Sequence, residues 1–419
     1  MKILFVVPYV PNLIRVRPYQ FVRNLSEKGH QVTVLTLCAN QAEREDAERL
    51  RNVVTDVVAF PLARWRTLLN CLTVLPTREP LQAAYAWHPG LSQMLDQLAG
   101  ESEGFDLIHI EHLRGARYGL QYQIRKGLNE SGFLPVVWDS VDSISLLFRQ
   151  AAQYSRQRVS RLLTRLELTR TEYFESWLPL RFDRVLVTSP NDRQAFYDLV
   201  KAYGLKSPPD IDVLPNGVDL DYFSPDPTCE RDPETLVVSG KMSYHANVSM
   251  VLYFVKEVMP RVWSEKPNVR LLVVGKDPPG AITELAKNPR IKITGTVKDI
   301  RPYLRQATLA VAPLTYGVGI QNKALEAMAC GTPLISTAQA VSALQIVPDQ
   351  DLFVASGPEQ MALKIRFLID HPEIRKQIGQ AGRRYVEENH RWENIVDKLL
   401  EVYDEAIRSR HTILQKTIL

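Results

Sequence analysis

Between Ala312 and Gly331 the chain reads APLTYGVGIQNKALEAMACG: an apolar run ends at Pro313, Gly317 and Gly319 permit a tight turn, and a helical pattern starts near Asn322. A glycine turn feeding a helix N-terminus aims backbone N–H groups and a partial positive charge at one point, which suits an anion. Lys323 adds a cation in the first helical turn, where cations are disfavoured unless something negative binds. Glu326, one turn on, can bond a vicinal diol through both carboxylate oxygens. Phosphate plus ribose is therefore a ligand that Gly319, Ile320, Gln321, Asn322, Lys323 and Glu326 could hold. A plain strand–turn–helix with a solvated Lys and Glu is the alternative.

A second turn, Ser239-Gly240-Lys241, follows the first strand pattern of the second half and points Lys241 at the same place. Two lysines and a helix terminus converging on one crevice would neutralise a diphosphate and stabilise charge building on it as a leaving group. Taken alone, Lys241 reads equally as a solvated loop charge. No G-x-G-x-x-G follows the first strand and no G-x-x-x-x-G-K-[ST] occurs, which weighs against dinucleotide oxidoreductases and phosphate-loop NTPases. Asp210-Ile-Asp212 and Asp219-Leu-Asp221 match a metal-holding D-x-D pattern, but both fall in a proline-rich stretch where acidic residues form turns. No His/Cys cluster has zinc spacing. The expectation is a site without a metal or other cofactor.

These residues need elements to hold them. Two passages alternate short β-branched runs with stretches of helical period, the pattern of parallel sheets covered by helices, so the fold class is α/β. The first passage runs from residue 1 to 203, with strands expected at Ile3–Val7, Val32–Leu35, Val53–Phe60, Leu107–Ile110, Val136–Trp138 and Val185–Thr188. Residues 204–235 carry six prolines and read as an interdomain connection. The second passage, assigned to 204–394, has strands expected at Leu236–Val238, Val269–Val274, Ile291–Thr294, Leu309–Ala312, Pro333–Ser336 and Leu352–Val354, with helices at Val251–Trp263 and Lys323–Ala329. Open parallel sheets bind ligands at the carboxyl ends of their strands, so both halves are expected to face a central cleft.

Length and composition fit that organisation. A chain of 419 residues exceeds what one hydrophobic core serves, and two domains are expected. Lys plus Arg total 51 against 47 Asp plus Glu, and neither half is a polyelectrolyte, which argues against nucleic acid as the main partner. No apolar run approaches the ~20 residues that span a bilayer. The four cysteines, Cys38, Cys71, Cys229 and Cys330, are scattered without C-x-x-C spacing, and a reducing cytoplasm is the simplest setting.

Several stretches resemble one family. Val213-Leu-Pro-Asn-Gly-Val-Asp-Leu-Asp-Tyr-Phe223, Ser239-Gly-Lys241, Val273-Val-Gly275, Thr294-Gly-Thr-Val-Lys-Asp299 and Leu325-Glu-Ala-Met-Ala-Cys-Gly-Thr-Pro333 occur in the order and spacing of family-4 retaining glycosyltransferases. The first half is similar more loosely, through its opening strand, DLIHIEH, VVWDSVDS and VLVTSPND. The resemblance implies the GT-B architecture of two Rossmann-like domains, with a last helix, about 395–419, packing back on the first. It implies a nucleotide-diphosphate sugar as donor and a glycan or lipid-linked acceptor. The G-I-Q-N-K variant at 319–323 looks like a branch found among bacterial exopolysaccharide-associated sugar transferases, which suggests cell-surface polysaccharide or glycolipid synthesis.

By the same resemblance Glu326 is the second of two hallmark glutamates and bonds the ribose hydroxyls; the first maps onto Val318 and is absent. Lys241 matches the first of two diphosphate-gripping cations, the second falls at Ala246, and Lys323 could supply the missing charge. Val297 would meet the base through its backbone, and His112 would sit near the transferred sugar, although a lone His at a strand end is also a common structural residue. Arg15 and Asp139 are candidates on the acceptor side. If configuration is retained, the departing phosphate oxygen can take the acceptor's proton on the same face, and catalysis rests on diphosphate stabilisation and acceptor positioning.

On the acceptor side, Arg64-Trp-Arg-Thr-Leu-Leu-Asn-Cys-Leu-Thr-Val-Leu is basic and amphipathic, and Arg149–Arg170 carries six arginines against the single acid Glu167. Such stretches suit an anionic membrane surface at the inner face of the cell membrane, and hence a lipid-linked acceptor. A solvated helix with Leu162, Leu163, Leu166 and Leu168 as core is the other reading. A nucleotide-sugar epimerase, a sugar phosphorylase and a non-catalytic nucleotide-sugar-binding protein are the rival functions.

Overall fold

A computed structural model describes residues 1–100, 104–126, 134–154, 158–205, 209–317 and 319–418; at 126, 153–154, 158–163 and 411–418 the description is of the backbone. The chain divides into two compact units, Met1–Pro215 with Trp392–Leu419, and Asn216–Arg391.

The first unit is built on a seven-stranded parallel sheet, β1 (Lys2–Val7), β2 (Gln31–Cys38), β3 (Asp56–Pro61), β4 (Leu107–Glu111), β5 (Val136–Val141), β6 (Arg184–Val187) and β7 (Ile211–Val213), in the order β3-β2-β1-β4-β5-β6-β7. Its central strands are covered on both faces, so they read as continuous apolar runs rather than alternations. Leu4 and Val6 pack into one core, Ile3, Phe5 and Val7 into the other. The second core is closed by the helix Trp392–Ile418, whose Trp392, Ile395, Val396, Leu399 and Tyr403 recur at helical spacing and are buried against the sheet. Each such side chain contributes about 1.5–3 kcal/mol on burial, enough to dock the chain's end on its beginning.

The second unit has a six-stranded parallel sheet, β8 (Asp232–Ser239), β9 (Arg270–Val274), β10 (Ile291–Gly295), β11 (Ala307–Ala312), β12 (Leu334–Thr337) and β13 (Phe353–Ala355), in the order β10-β9-β8-β11-β12-β13. In each sheet the chain order reverses at one place, between β1 and β4 and between β8 and β11. The loops leaving those strands are where an open α/β sheet offers a ligand crevice.

Two expectations need correcting. Residues 204–235 are not a single connector, because Ile211–Val213 is the seventh strand of the first sheet, with Leu214 N donating to Val187 O at 2.8 Å, and β8 begins at Asp232. Prolines flank an edge strand of three residues and mask its pattern. The helix expected at Val251–Trp263 begins at His245 and passes through a π turn at Phe254–Val258 before Met259–Trp263. Pro260 has no N–H to give the preceding turn, and the widened turn accommodates it.

Candidate functional site

At the β8/β11 switch the second unit brings the sequence candidates together. Gly240 leaves β8 with φ +142°, and its N–H donates to Val274 O at 3.1 Å. Gly275, after β9, lies so close that a Cβ there would stand 1.7 Å from Gly240 O. Gly275 is required by this approach of two backbones, and Gly240 by its positive φ. A Cβ on Gly240 would meet Asn247 Nδ2 at 2.9 Å, so the turn also rests on the Asn247 amide.

Asn247 is the hub. Buried in the helix His245–Tyr253, it donates through Nδ2 to Lys241 O at 2.9 Å and accepts through Oδ1 from Lys323 Nζ at 2.7 Å. Lys323 Nζ donates a second bond to Gln321 Oε1 at 3.2 Å. The ammonium is thus aimed by two neutral oxygens, with one of its three N–H donors left over. Burial lowers the Lys323 pKa to about 8, against the opposing pull of Glu326. Glu326 is pushed up to about 7 by burial, countered by Lys323, and among the described residues no hydrogen bond reaches its carboxylate.

The helix Asn322–Ala329 starts beside this pair. Gln321 occupies its N-cap without a side-chain cap bond, and no acid lies in the first turn, so the early N–H groups keep their positive end unpartnered by side chains. Gly319, with φ +65°, supplies the left-handed step before it, while Val318 lies outside the described residues. Ile320 is a packing residue whose side chain is buried in the core of the second unit, so only its backbone is on offer to a ligand. Asn322 Oδ1 accepts from Asn216 Nδ2 at 3.3 Å. Lys241 is exposed; Val297 packs half-buried on the core after the Gly295 turn. Ala246 is buried and places no cation here.

Sequence reasoning missed Asn247, and also His245, whose Nδ1 lies 2.7 Å from Tyr316 Oη with the two rings stacked. Asp212 stands 3.5 Å from Arg184, and Asp219 Oδ1 caps the N–H of Tyr222 at 2.9 Å.

At the β1/β4 switch of the first unit, His112 follows β4 directly and takes φ +64°, with its Nδ1 accepting from Arg114 N at 3.3 Å and its carbonyl accepting from Trp138 Nε1 at 3.2 Å. Burial, reinforced by Arg114, drops its pKa to about 3, so the imidazole is neutral at ordinary pH. Val141, closing the neighbouring β5, is also left-handed at φ +69°, held by Asp139 Oδ1 at 3.0 Å. A β-branched residue there is strained, and such strain concentrates at working loops.

Asp139 is not presented to an acceptor, and Arg15, with a third of its side chain exposed, is held by other side chains. Asp139 is fully buried in a two-pronged pair with Arg17, Nε to Oδ2 at 2.7 Å and Nη2 to Oδ1 at 3.3 Å, while Arg17 Nη1 also reaches Leu214 O at 3.0 Å. Arg15 is spent on Glu43 at 2.8 Å and stacks over Tyr9. Beneath His112 lies a closed polar group: Tyr403 Oη bonds His109 Nδ1 at 2.8 Å, and His109 Nε2 faces Glu111 Oε2 at 3.5 Å. Burial and the Asp139 charge raise the Glu111 carboxyl well above its usual range. His109, Glu111 and Asp139 could converge on a cation, but the Arg17 guanidinium already supplies that charge.

The basic stretch becomes the helix Arg64–Val74, with Trp65 62% exposed, Leu68 61% and Leu72 52%, on a surface shared with Arg64. Within Arg149–Arg170, Arg149 pairs with Glu172 and Arg170 with Glu167, and Leu166 is 58% exposed, so it is not core. The side chains of Leu162 and Leu163 lie outside the described residues. No described helix is long and apolar enough to cross a membrane.

Residues 15–222 match the model of Glycosyltransferase Family 4 and residues 233–371 that of Glycosyl transferases group 1. A D-inositol 3-phosphate glycosyltransferase of Segniliparus rotundus is 31% identical over 229 residues, 49% of each chain. A GDP-mannose-dependent monoacylated alpha-(1-6)-phosphatidylinositol monomannoside mannosyltransferase of Corynebacterium glutamicum is 26% identical over 228 residues, 48% of this chain and 58% of its own. The chain thus spans about half the length of the relatives it matches. Among solved structures, Anabaena Alr3699/HepE in complex with UDP and glucose superposes with a TM-score of 0.67 at 15% identity, over 96% of this chain and 99% of that one, which shows the shared GT-B fold. With both sheets, both switch-point loops and both family models in agreement, the chain belongs to the family-4 glycosyltransferases.

Proposed function

We propose that the protein transfers a sugar from a nucleotide-diphosphate sugar to a glycan or lipid-linked acceptor with retention of anomeric configuration. One observation carries this reading. Lys323 is aimed by neutral oxygens of Asn247 and Gln321 at a helix start without a side-chain cap, one turn from a carboxylate that no described residue hydrogen-bonds. Such an arrangement has unmet demand for an anion and for hydroxyl donors together, and a nucleoside diphosphate carries both. In the reaction, Lys241, Lys323 and the first N–H groups of the helix Asn322–Ala329 take up the charge that builds on the leaving diphosphate. Glu326 fixes the ribose. The leaving phosphate oxygen accepts the acceptor's proton, so the neutral His112 serves to orient a hydroxyl rather than to exchange a proton. The reading needs no metal ion.

A lipid-linked acceptor, of the kind used in cell-surface glycan or glycolipid synthesis, is favoured by the Arg64–Val74 helix. Its apolar face presents Trp65, Leu68, Leu69 and Leu72 to solvent beside Arg64, with no acid in the helix, which suits an anionic bilayer. The Corynebacterium relative acts, by its name, on a phosphatidylinositol mannoside.

Two measurements test the reading. A screen of nucleotide diphosphates and their sugars should raise the melting temperature of the wild type for at least one ligand and not of Glu326→Ala. Sedimentation with anionic vesicles should recover the wild type but not Trp65→Ser/Leu68→Ser. Donor turnover that survives both Glu326→Ala and Lys323→Ala refutes the donor site, and vesicle binding indifferent to salt and to the helix variants refutes the membrane face.

A further inference from the structure

The second unit carries another cavity, at the opposite end of the same sheet. Its volume is about 490 Å³, and its walls come from Arg231, just before β8, Thr308, at the start of β11, Gly331 and Pro333, just before β12, and the first turns of the helix Pro372–Asn389. Strands β8, β11 and β12 are entered here and are left at the Gly240 and Lys323 end. With about 3.3 Å of rise per residue, six to eight residues of strand put roughly 20 Å between the two places. One ligand cannot occupy both.

The lining holds five cationic side chains, Arg231, Arg375, Lys376, Arg383 and Arg384, and no carboxylate, though Arg383 Nε is paired outside it with Glu387 at 2.6 Å. Arg231 is clamped by carbonyls, with Nη1 donating to Ala307 O at 2.8 Å and Nη2 to Gly331 O at 2.9 Å. Its guanidinium is therefore rigid, and no acid shares an ion pair with it among the described residues. Arg375 lies near enough to repel it, and burial lowers the pKa of both. Charges held this way are costly unless an anion completes them. Thr308 is among the lining residues, and its buried hydroxyl has no hydrogen-bond partner among the described residues. Lys376 and Arg384 are exposed at the mouth and make no ion pair among the described residues.

We propose that this cavity binds a phosphate monoester, at a site separate from that of the donor. The cations, Lys376 and Arg384 at the mouth foremost, supply the complement of a phosphoryl group, and Pro225, Pro333 and Pro372 give flat apolar walls for a compact organic body. The cavity falls within the range of about 300–1,000 Å³ typical of small-molecule sites and is larger than inorganic phosphate requires. Ligand held there touches the entry of β8, β11 and β12, the three strands whose exits carry the donor residues.

Isothermal titration of the full chain with glucose 6-phosphate, inorganic phosphate and glucose, at matched ionic strength, tests the site, with phosphatidic-acid vesicles as a separate arm. The ester should bind about tenfold or more tighter than inorganic phosphate, glucose should not bind, and Lys376→Ala/Arg384→Ala should weaken the ester by about tenfold or more. The same double variant should keep the wild-type thermal response to nucleotide diphosphates. Ester binding that the variant loses places the phosphate on a soluble metabolite; vesicle binding that it loses, without ester binding, places it on a lipid. Binding of neither, binding unchanged in the variant, or equal affinity for inorganic phosphate overturns the proposal.

Discussion

Replacing Asp139 by Asn separates a structural role from a catalytic one. The carboxylate is fully buried, holds Arg17 through two bonds of 2.7 and 3.3 Å, and caps the strained Val141 N–H at 3.0 Å. Asparagine keeps the shape and one acceptor, so the Val141 contact survives and the charge alone is lost. Arg17 then keeps its buried charge, the carbonyls of Leu214 and Pro215 among its partners, without the carboxylate of Asp139. Removing one partner of a buried pair costs about 3–5 kcal/mol, mostly because the other charge stays behind. For a unit of about 150–250 residues each kcal/mol moves the melting point by roughly 2–4 °C, so Asp139→Asn should lower that of the first unit by roughly 6–20 °C. Differential scanning calorimetry reads this directly. Arg17→Met/Asp139→Leu, which removes both charges, should recover most of the loss. An Asp139→Asn protein that melts within about 2 °C of wild type yet loses turnover would refute the buried-pair argument and return Asp139 to the acceptor.

Three further outcomes are expected. Glu326→Gln should reduce kcat/KM for the donor by about 10- to 100-fold, the worth of one or two hydrogen bonds to a charged group, while the melting point stays level or rises because a buried carboxylate without a bond is removed. The kcat/KM profile should be bell-shaped, rising as Glu326 ionises near 7 and falling as Lys323 deprotonates near 8. Without ligand, stability should fall from about pH 4.3 toward 7, because the folded state keeps the Glu326 proton longer than the unfolded one, and should recover between about 8 and 10.4, where folded Lys323 has already lost its proton; urea titrations at stepped pH measure both limbs. Gly275→Ala, which drives a Cβ to 1.7 Å from Gly240 O, should abolish the donor-induced thermal shift, and a normal shift would show that the two loops can part cheaply.

The parts of the fold that were legible in the sequence are those buried on two faces. Ile3–Val7 and Leu309–Ala312 admit only apolar side chains, and each such run is a strand in the middle of a sheet. The edge strand Ile211–Val213 escaped because three residues beside prolines carry too little pattern to register. Lys323 and Glu326 were legible because a glycine turn and a helix start place them from local sequence alone. Asn247 was not: its bond to Lys323 joins residues 76 apart, and a lone Asn in a helix has no local signature. Asp139 misled for the reciprocal reason. An acid at the carboxyl end of a parallel strand points where ligands bind, but its partner Arg17, 122 residues away, is read from sequence as a helix-surface charge.

The cations singled out in the two units are satisfied differently. In the first, Arg15 and Arg17 meet carboxylates at 2.8 and 2.7 Å, so their fields are cancelled at short range and little is left to attract a ligand. In the second, Lys323 is oriented by the amide oxygens of Asn247 and Gln321, and Arg231 by backbone carbonyls. Neutral acceptors fix the position of a cation without neutralising its charge, so each keeps its field for an anion. A carboxylate in place of Asn247 would aim Lys323 equally well and settle its charge before the substrate came. An amide there lets one structural contact serve the proposed diphosphate site.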